Sequence, residues 1–238
     1  MKIFRYEMTD STNTRAREYA KSENPTFPAV FIADGQTNGR GRRGRSFNSE
    51  RGSGLYVSFL FKPHGAASDA VRITLRAAVA LCRALSSVCG LEAEIKWVND
   101  IQLGGRKICG ISCEAISAGE KIEAVILGIG VNFSAQEFPE DLKDSAGVLF
   151  EEPAVTRNVL IAEILKNLLH ETSCMTDRKF IDEYRRRSAV LGKPIRYLED
   201  GLWYEAEAEG IDENGGLIVR EVEGLRTLVS GEITLRIK

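Results

Sequence analysis

The sequence predicts an α+β fold: a mixed β-sheet with flanking helices over residues 1–190, then a small C-terminal β-barrel module over residues 191–238. Three observations carry this expectation. Short apolar runs of strand type alternate with helical stripes up to Ala189. After Leu191-Gly192-Lys193-Pro194 the pattern changes to brief alternating segments divided by turns. Between two apolar stretches, Ala29 to Ala33 and Leu55 to Phe61, stands a loop of glycines and arginines, Gly39 to Arg45.

Asp10-Ser11-Thr12-Asn13 sets cap-forming side chains ahead of Ala16, Tyr19 and Ala20, which predicts a helix of about a dozen residues. The same polar set could also serve as ligand donors. Ala29-Val30-Phe31-Ile32-Ala33 reads as a buried strand after Pro25 and Pro28, and Leu55 to Phe61 as a second. Ser68-Asp69 then caps a long helix through Cys89, whose stripe is Val71, Leu75, Ala78, Cys82 and Leu85 and whose stop is Gly90. From Ala93 the pattern is sheet: Ile95 to Val98, a hairpin of Ile101 to Leu103 with Arg106 to Ala115 about Gly104-Gly105, and Lys121 to Phe133 after Ala118-Gly119. Val125-Ile126-Leu127 is apolar on both faces, so that strand is central. Helices are expected from Thr156 to about Thr172 and from Asp177 to about Ala189, the second presenting Arg185-Arg186-Arg187 as a solvated face. The terminal module reads as strands over Ile195 to Leu198, Trp203 to Ile211, Leu217 to Val222, Leu225 to Val229 and Ile233 to Ile237.

Composition excludes several classes. With 238 residues, 43% hydrophobic and 28% charged, the chain has ample core for a soluble protein. A net charge of -2 argues against general nucleic-acid affinity, which requires a basic face. No run approaches the ~18–20 apolar residues of a membrane helix, and the first residues hold no signal-peptide apolar region, so a cytoplasmic protein is expected. Five cysteines form no Cys-x-x-Cys pair and fit reduced thiols, and two histidines, His64 and His170, have no metal-ligand spacing.

The run Gly39-Arg-Gly-Arg-Arg-Gly-Arg45 concentrates positive charge that the composition otherwise balances. Glycine allows close backbone approach to a ligand, and arginine offers a planar fork for carboxylate and phosphate oxygens. Such a run fits an anion clamp, and it equally fits a nucleic-acid-binding segment. Its place between two core strands, instead of in a tail, favours a site. Gly128-x-Gly130 precedes no helix and is no dinucleotide fingerprint, and no phosphate loop of the Gly-x-x-x-x-Gly-Lys-Ser/Thr type occurs.

Six ordered blocks then make the chain resemble the biotin protein ligases, also called biotin–acetyl-CoA-carboxylase ligases. They are Asp10-Ser-Thr-Asn13, the Gly39–Arg45 loop, Lys96-Trp-Val-Asn-Asp100, Arg106-Lys-Ile-Cys-Gly-Ile111, Gly128-Ile-Gly-Val-Asn132 and Ser230-Gly-Glu-Ile233. Val98 stands where that family has proline. The resemblance covers essentially the whole chain. It implies a class II synthetase-like catalytic domain and two steps: biotin attacks the α-phosphate of MgATP to give biotinyl-5′-adenylate, and a carrier lysine then takes the acyl group.

Residue by residue, the resemblance implies that Ser11, Thr12 and Gln36 hydrogen-bond the ureido ring of biotin, with Asn13 also among the biotin-binding residues. The backbone of Gly39, Arg40, Gly41 and Arg42 closes over it, above a floor thinned at Gly110 and Gly128. Lys107, with Arg40 and Arg42, would be catalytic, between the biotin carboxylate and the α-phosphate. Arg42, Arg45, Phe47, Asn99, Lys107 and Asn132 would meet the adenylate, although Phe47 could equally be core. Asp100 would either help to place Mg²⁺ or only cap its hairpin. The implied partner is the biotin carboxyl carrier protein or domain of acetyl-CoA carboxylase or another biotin-dependent carboxylase. A homodimer is possible in such a family. DNA regulation is not expected, because no helix-turn-helix fits ahead of Asp10. Two other readings stay open: a lipoate or octanoate ligase of related fold, and a nucleic-acid-binding module built on the arginine loop.

Overall fold

The strand that is apolar on both faces does lie inside the larger sheet. The computed structural model describes residues 1–41, 44–63, 70–119, 121–175, 177–229 and 232–235, with backbone alone at 232, 234 and 235. Seven strands form the larger sheet: β1 (Lys2–Tyr6), β2 (Ala29–Ala33), β3 (Gly54–Phe61), β4 (Glu94–Lys96), β5 (Asp100–Leu103), β6 (Arg106–Ala118) and β7 (Lys121–Asn132). Their order is β1-β2-β3-β7-β6-β5-β4, antiparallel except for the parallel pair β1 and β2. The helices are α1 (Thr12–Ala20), α2 (Ala70–Ala84) with a wider turn over Leu85–Cys89, α3 (Arg157–Ser173) and α4 (Lys179–Arg186). The Trp97–Val98 and Phe27–Pro28 peptides are cis.

Strand alternation gives the sheet two unlike faces. Val57 and Phe59 of β3, Leu127, Ile129 and Val131 of β7, and Cys109 and Ile111 of β6 point to one side and join α2, α3 and α4 in a continuous apolar core. On the other side Leu60, Ala124 and Ile126 pack with Ala16 of α1 and Phe31 of β2. Further along the same three strands this second face turns small and polar. In the pairing register, Tyr56, Gly130 and Gly110 form one row across β3, β7 and β6, and Ser58, Gly128 and Ser112 form the next. Missing side-chain volume there leaves a trough beside the start of α1.

The terminal residues build a second, antiparallel sheet of five strands: β8 (Pro194–Glu199), β9 (Leu202–Ile211), β10 (Leu217–Glu221), β11 (Gly224–Leu228) and β12 (Glu232–Leu235), in the order β11-β10-β9-β8-β12. It docks firmly. Trp97 donates its indole N–H to Gly215 O at 3.0 Å, and Ile195, Tyr197, Ala208, Ile211 and Leu217 extend the core around α2. Gly215 has φ +88, and a Cβ on it would stand 2.9 Å from Leu75 Cδ2, so the turn needs glycine for both conformation and space.

The structure departs from the sequence expectation at β1 and at the arginine run of α4. β1 is missing from the expected set, because Lys-Ile-Phe-Arg-Tyr at the chain start has no strict alternation and pairs only through the distant β2. The cap Ser68-Asp69 lies outside the described residues. The arginine run of α4 is not simply solvated: Arg187 pairs with Glu183 and Glu92, and Arg185 donates to Ile211 O at 2.9 and 2.6 Å and to Glu213 at 2.9 Å, tying α4 to the second sheet. On β9 exposed Glu205, Glu207 and Glu209 alternate with the more buried Ala206 and Ala208, while Trp203 and Tyr204 are both exposed.

A buried ion network joins α2 to α3. Glu171 is buried and accepts from Arg76 at 2.8 Å and from Arg83 at 2.6 Å, while Arg76 also stacks 4.0 Å over the Phe180 ring. Removing one partner leaves a buried charge uncompensated, which costs about 3–5 kcal/mol. Glu171→Ala is therefore expected to lower Tm by roughly 6–20 °C. Lys166→Ala, which opens only the exposed pair with Glu163, should change stability by less than about 0.5 kcal/mol in the same thermal scan.

Candidate active site

The trough on the second face of the sheet is the floor of a pocket of about 460 Å³ including its mouth. Its lining includes Ser11, Thr12 and Asn13 from the start of α1, Gln36, Arg40, Gly41 and Phe47 from the glycine-arginine segment, and Asn99, Lys107, Gly110 and Gly128 from β5, β6 and β7 and their connections. These are eleven of the residues singled out from the sequence, drawn from segments more than a hundred positions apart.

Helix α1 starts at this pocket because Ser11 is its extended N-cap, yet Ser11 makes no side-chain cap hydrogen bond. The start of the helix is instead braced by Gln36, whose Oε1 accepts from Thr12 N at 2.8 Å and Thr12 Oγ1 at 3.2 Å, and whose Nε2 donates to Ser49 Oγ at 2.9 Å. Thr37 N and Asn38 N donate to Thr9 O and Asp10 O, each at 2.9 Å, so the strand leaving β2 is laced to the entry of α1. The loop then doubles back: Gly41 N donates to Arg45 O at 2.7 Å and Phe47 N to Gly39 O at 2.9 Å, with Gly44 at φ +76. Gly39 and Arg45 belong to this doubled-back segment and not to the pocket lining. Arg42 lies outside the described residues.

Phe47 crosses the trough. A Cβ on Gly130 would stand 2.6 Å from its ring, and one on Gly110 would stand 3.2 Å from Lys107 Nζ. A Cβ on Gly128 would stand 2.5 Å from both Asn13 Oδ1 and Ser112 Oγ. Glycine at these three positions is a matter of space, since none has a left-handed φ.

Charge in the pocket comes from Arg40 and Lys107 among the described lining residues. Lys107 Nζ pairs with Asp100 Oδ1 at 2.7 Å, and Asn99 Nδ2 donates to the same Oδ1 at 3.2 Å and to Ile111 O at 2.9 Å. No group of three or more His, Cys, Asp or Glu side chains among the described residues could hold a metal ion. Burial pushes the Cys109 thiol well above the usual thiol range and Cys82 up to about 12, so neither of these core thiols is activated. The chemistry that the described lining offers is therefore hydrogen-bonding groups and positive charge suited to anions.

Like Gly39, Arg45 and Asp100, Asn132 does not line the pocket. Asn132 is buried and spends its amide on Gly147 O at 2.9 Å and Lys107 O at 3.4 Å, fastening the 145–149 segment to β6 instead of lining the pocket. Four lining residues were not singled out as site residues from the sequence: Ile111, Ser112, Ile129 and Gly130. Gly130 had a signal in the Gly128-x-Gly130 spacing, which places both on one strand face; the other three read as ordinary strand interior. No helix among the described residues is long and apolar enough to cross a membrane.

Residues 6–132 match the model of the biotin/lipoate A/B protein ligase family, and residues 190–236 match that of the biotin protein ligase C terminal domain. The chain is 31% identical to a bifunctional ligase/repressor BirA of Bacillus subtilis, over 97% of this chain and 73% of that protein. It is also 31% identical to a biotin–[acetyl-CoA-carboxylase] ligase of Paracoccus denitrificans, over 94% of this chain and 97% of the relative. Among solved structures, a biotin protein ligase from Aquifex aeolicus in complex with biotin and ATP superposes with a TM-score of 0.81 at 27% identity, covering 100% of this chain and 99% of the other.

Proposed function

The chain belongs to the biotin/lipoate A/B protein ligase family, and from that membership and the pocket we infer that it acts as an ATP-dependent biotin protein ligase. It forms biotinyl-5′-adenylate with release of pyrophosphate and transfers biotin to a lysine of a carrier protein. The observation that carries this reading is the joining of a small polar trough to two cations in one pocket.

The polar end, Ser11, Thr12, Asn13 and Gln36, suits a cyclic urea, which offers both N–H donors and a carbonyl acceptor. The cationic end suits two anions that must meet against their repulsion. Lys107 sits between the biotin carboxylate and the α-phosphate, where negative charge grows as the acyl–phosphate bond forms; Arg40 and Arg42 add to it. Phe47 lies against the ring systems at the trough, and Asn99 and Arg45 flank the adenylate side. Asn132 acts indirectly, by holding the segment after β7 against Lys107. Mg²⁺ enters with the ATP phosphates, as this ion is commonly held by one or two carboxylates plus phosphate oxygens. Asp100, the carboxylate paired with Lys107, is the group beside the pocket able to share it.

Residues 1–190 are the catalytic unit and residues 191–238 a small barrel. Closure of the barrel is supported by Arg226 of β11, which reaches Glu199 of β8 at 2.6 Å although β9 and β10 separate the two strands in the sheet order. The acceptor is the biotin carboxyl carrier domain of acetyl-CoA carboxylase or a related carboxylase, in the cytoplasm. The reading is tested by incubating the protein with ATP, biotin and such a carrier domain, and weighing the carrier by mass spectrometry. One added biotinyl group on one lysine is expected; a lipoyl group added from lipoate, with no biotinylation, would transfer the chain to the lipoate branch of the family.

A further inference from the structure

Behind the polar end of the pocket lies a charged pair that the chemistry above does not use. Glu114 follows Ser112 by two residues on β6 and so shares its sheet face. Its Oε1 accepts from Asn13 Nδ2 at 2.7 Å, and its Oε2 is ion-paired with Arg17, four residues after Asn13 on α1. Asn13 Nδ2 also lies 3.3 Å from Ser112 Oγ. Asn13 Oδ1 is 2.5 Å from Ser58 Oγ, and Ser58 Oγ is 2.8 Å from Thr12 Oγ1. Ser58 is fully buried, and Asn13 and Thr12 are nearly so.

The protons in this chain can be assigned. An ionised carboxylate only accepts, so Glu114 fixes the amide nitrogen of Asn13 as its donor and turns Oδ1 toward Ser58. Ser58 has one proton and gives it to Oδ1. With the Ser58 proton committed to Asn13, the 2.8 Å contact with Thr12 is made by the Thr12 hydroxyl, whose one proton is shared between Ser58 Oγ and, at 3.2 Å, Gln36 Oε1, which also accepts from Thr12 N at 2.8 Å. The chain from Ser58 through Asn13 to Glu114 thus runs one way, and with its proton held between Ser58 and Gln36, what Thr12 keeps for a ligand is lone pairs.

We propose that Glu114, anchored by Arg17, is a positioning residue that makes the polar end of the pocket an acceptor of hydrogen bonds, and so selects a head group carrying N–H donors, as the urea of biotin does. The proposal rests on the reading of this pocket as the biotin site. Glu114→Gln removes the acceptor-only end, because a carboxamide can donate as readily as accept, and the Asn13 amide is then free to reverse.

Calorimetric titration of the full chain with biotin tests it. Biotin Kd is expected to rise about tenfold in Glu114→Gln, the size of one misaligned buried hydrogen bond, with the KM for ATP unchanged. In an Asn13→Ala background the same substitution should add no further loss, since Glu114 acts through Asn13. Unchanged biotin affinity, an equal loss of ATP affinity, or full additivity with Asn13→Ala would each overturn the proposal. If Glu114→Gln does not fold, Arg17→Gln, which keeps the carboxylate but frees it, should weaken biotin binding about threefold, and unchanged affinity there overturns it. Absence of biotin binding by the wild-type protein would instead overturn the assignment of the pocket.

Discussion

Lys107→Ala lowers the rate of biotin-dependent ATP–pyrophosphate exchange by about 10²–10³-fold, the range seen when one preorganised charge donor is removed from a developing anion. Two anions, the biotin carboxylate and the α-phosphate, have to approach within bonding distance, and Arg40 and Lys107 are the described cations on the pocket lining. Lys107 is also positioned by its own neighbours: the Asp100 carboxylate at 2.7 Å holds its amine over Gly110. The fold does not depend on it. A half-exposed pair of this kind contributes at most about 1 kcal/mol, so the variant should unfold within a few degrees of wild type. Lys107→Arg retains the charge but spreads it over a planar fork, and is expected to recover only part of the rate. Exchange at the wild-type rate in Lys107→Ala would remove this residue from the chemistry.

The second large effect is steric. Gly128→Ala raises the KM for biotin by about 10–100-fold, corresponding to the ~1–3 kcal/mol cost of forcing atoms into a packed site. The new Cβ would stand 2.5 Å from Asn13 Oδ1 and Ser112 Oγ, and these belong to opposite walls, α1 and β6. One wall has to move, and the polar end of the pocket moves with it. Gly119→Ala is the control: its φ of +62 makes alanine there strained, but nothing lies within 4 Å of its Cβ and it is far from the trough. That variant should lose about 1 kcal/mol of stability with an unaltered biotin KM. Steady-state kinetics on the two variants, together with their thermal unfolding, separates loss of site shape from loss of stability.

Much of this site was legible in the sequence because its parts lie where chain pattern breaks. The glycine-arginine run interrupts a strand pattern, the Ser11-Thr12-Asn13 set opens a helix, and Lys107 follows a Gly104-Gly105 turn. Such punctuation is local, and local signals survive without a structure. Ser58 and Ser112 were not legible for the converse reason, and Gly130 showed only as a spacing from Gly128. Each sits inside an apolar strand, and what makes them a trough is the register that sets Ser58 beside Gly128 and Gly128 beside Ser112, information that exists only between strands.

The same distinction explains where the structure departs from the sequence pattern. Asn132 closes a motif and so reads as a ligand contact, yet two backbone carbonyls of the 145–149 segment and β6 already claim its amide. Arg185 and Arg187 read as solvated from their run of like charge, but Ile211 O, Glu213 and Glu92 come to them from other parts of the chain, and Glu183 from one turn earlier on α4. β1 lacks any intrinsic strand pattern and is held by its parallel partner. The outline of the fold came from periodicity; these positions depend on long-range contacts, which periodicity does not encode.

The account turns on one claim: the pocket between the start of α1 and the β3-β7-β6 trough binds biotin and activates it with ATP. ATP–pyrophosphate exchange, measured with the wild-type chain and no carrier present, tests it directly. Exchange that requires biotin and is not supported by lipoate is the predicted result. Exchange supported by lipoate and not by biotin, or none with either acid, would contradict it.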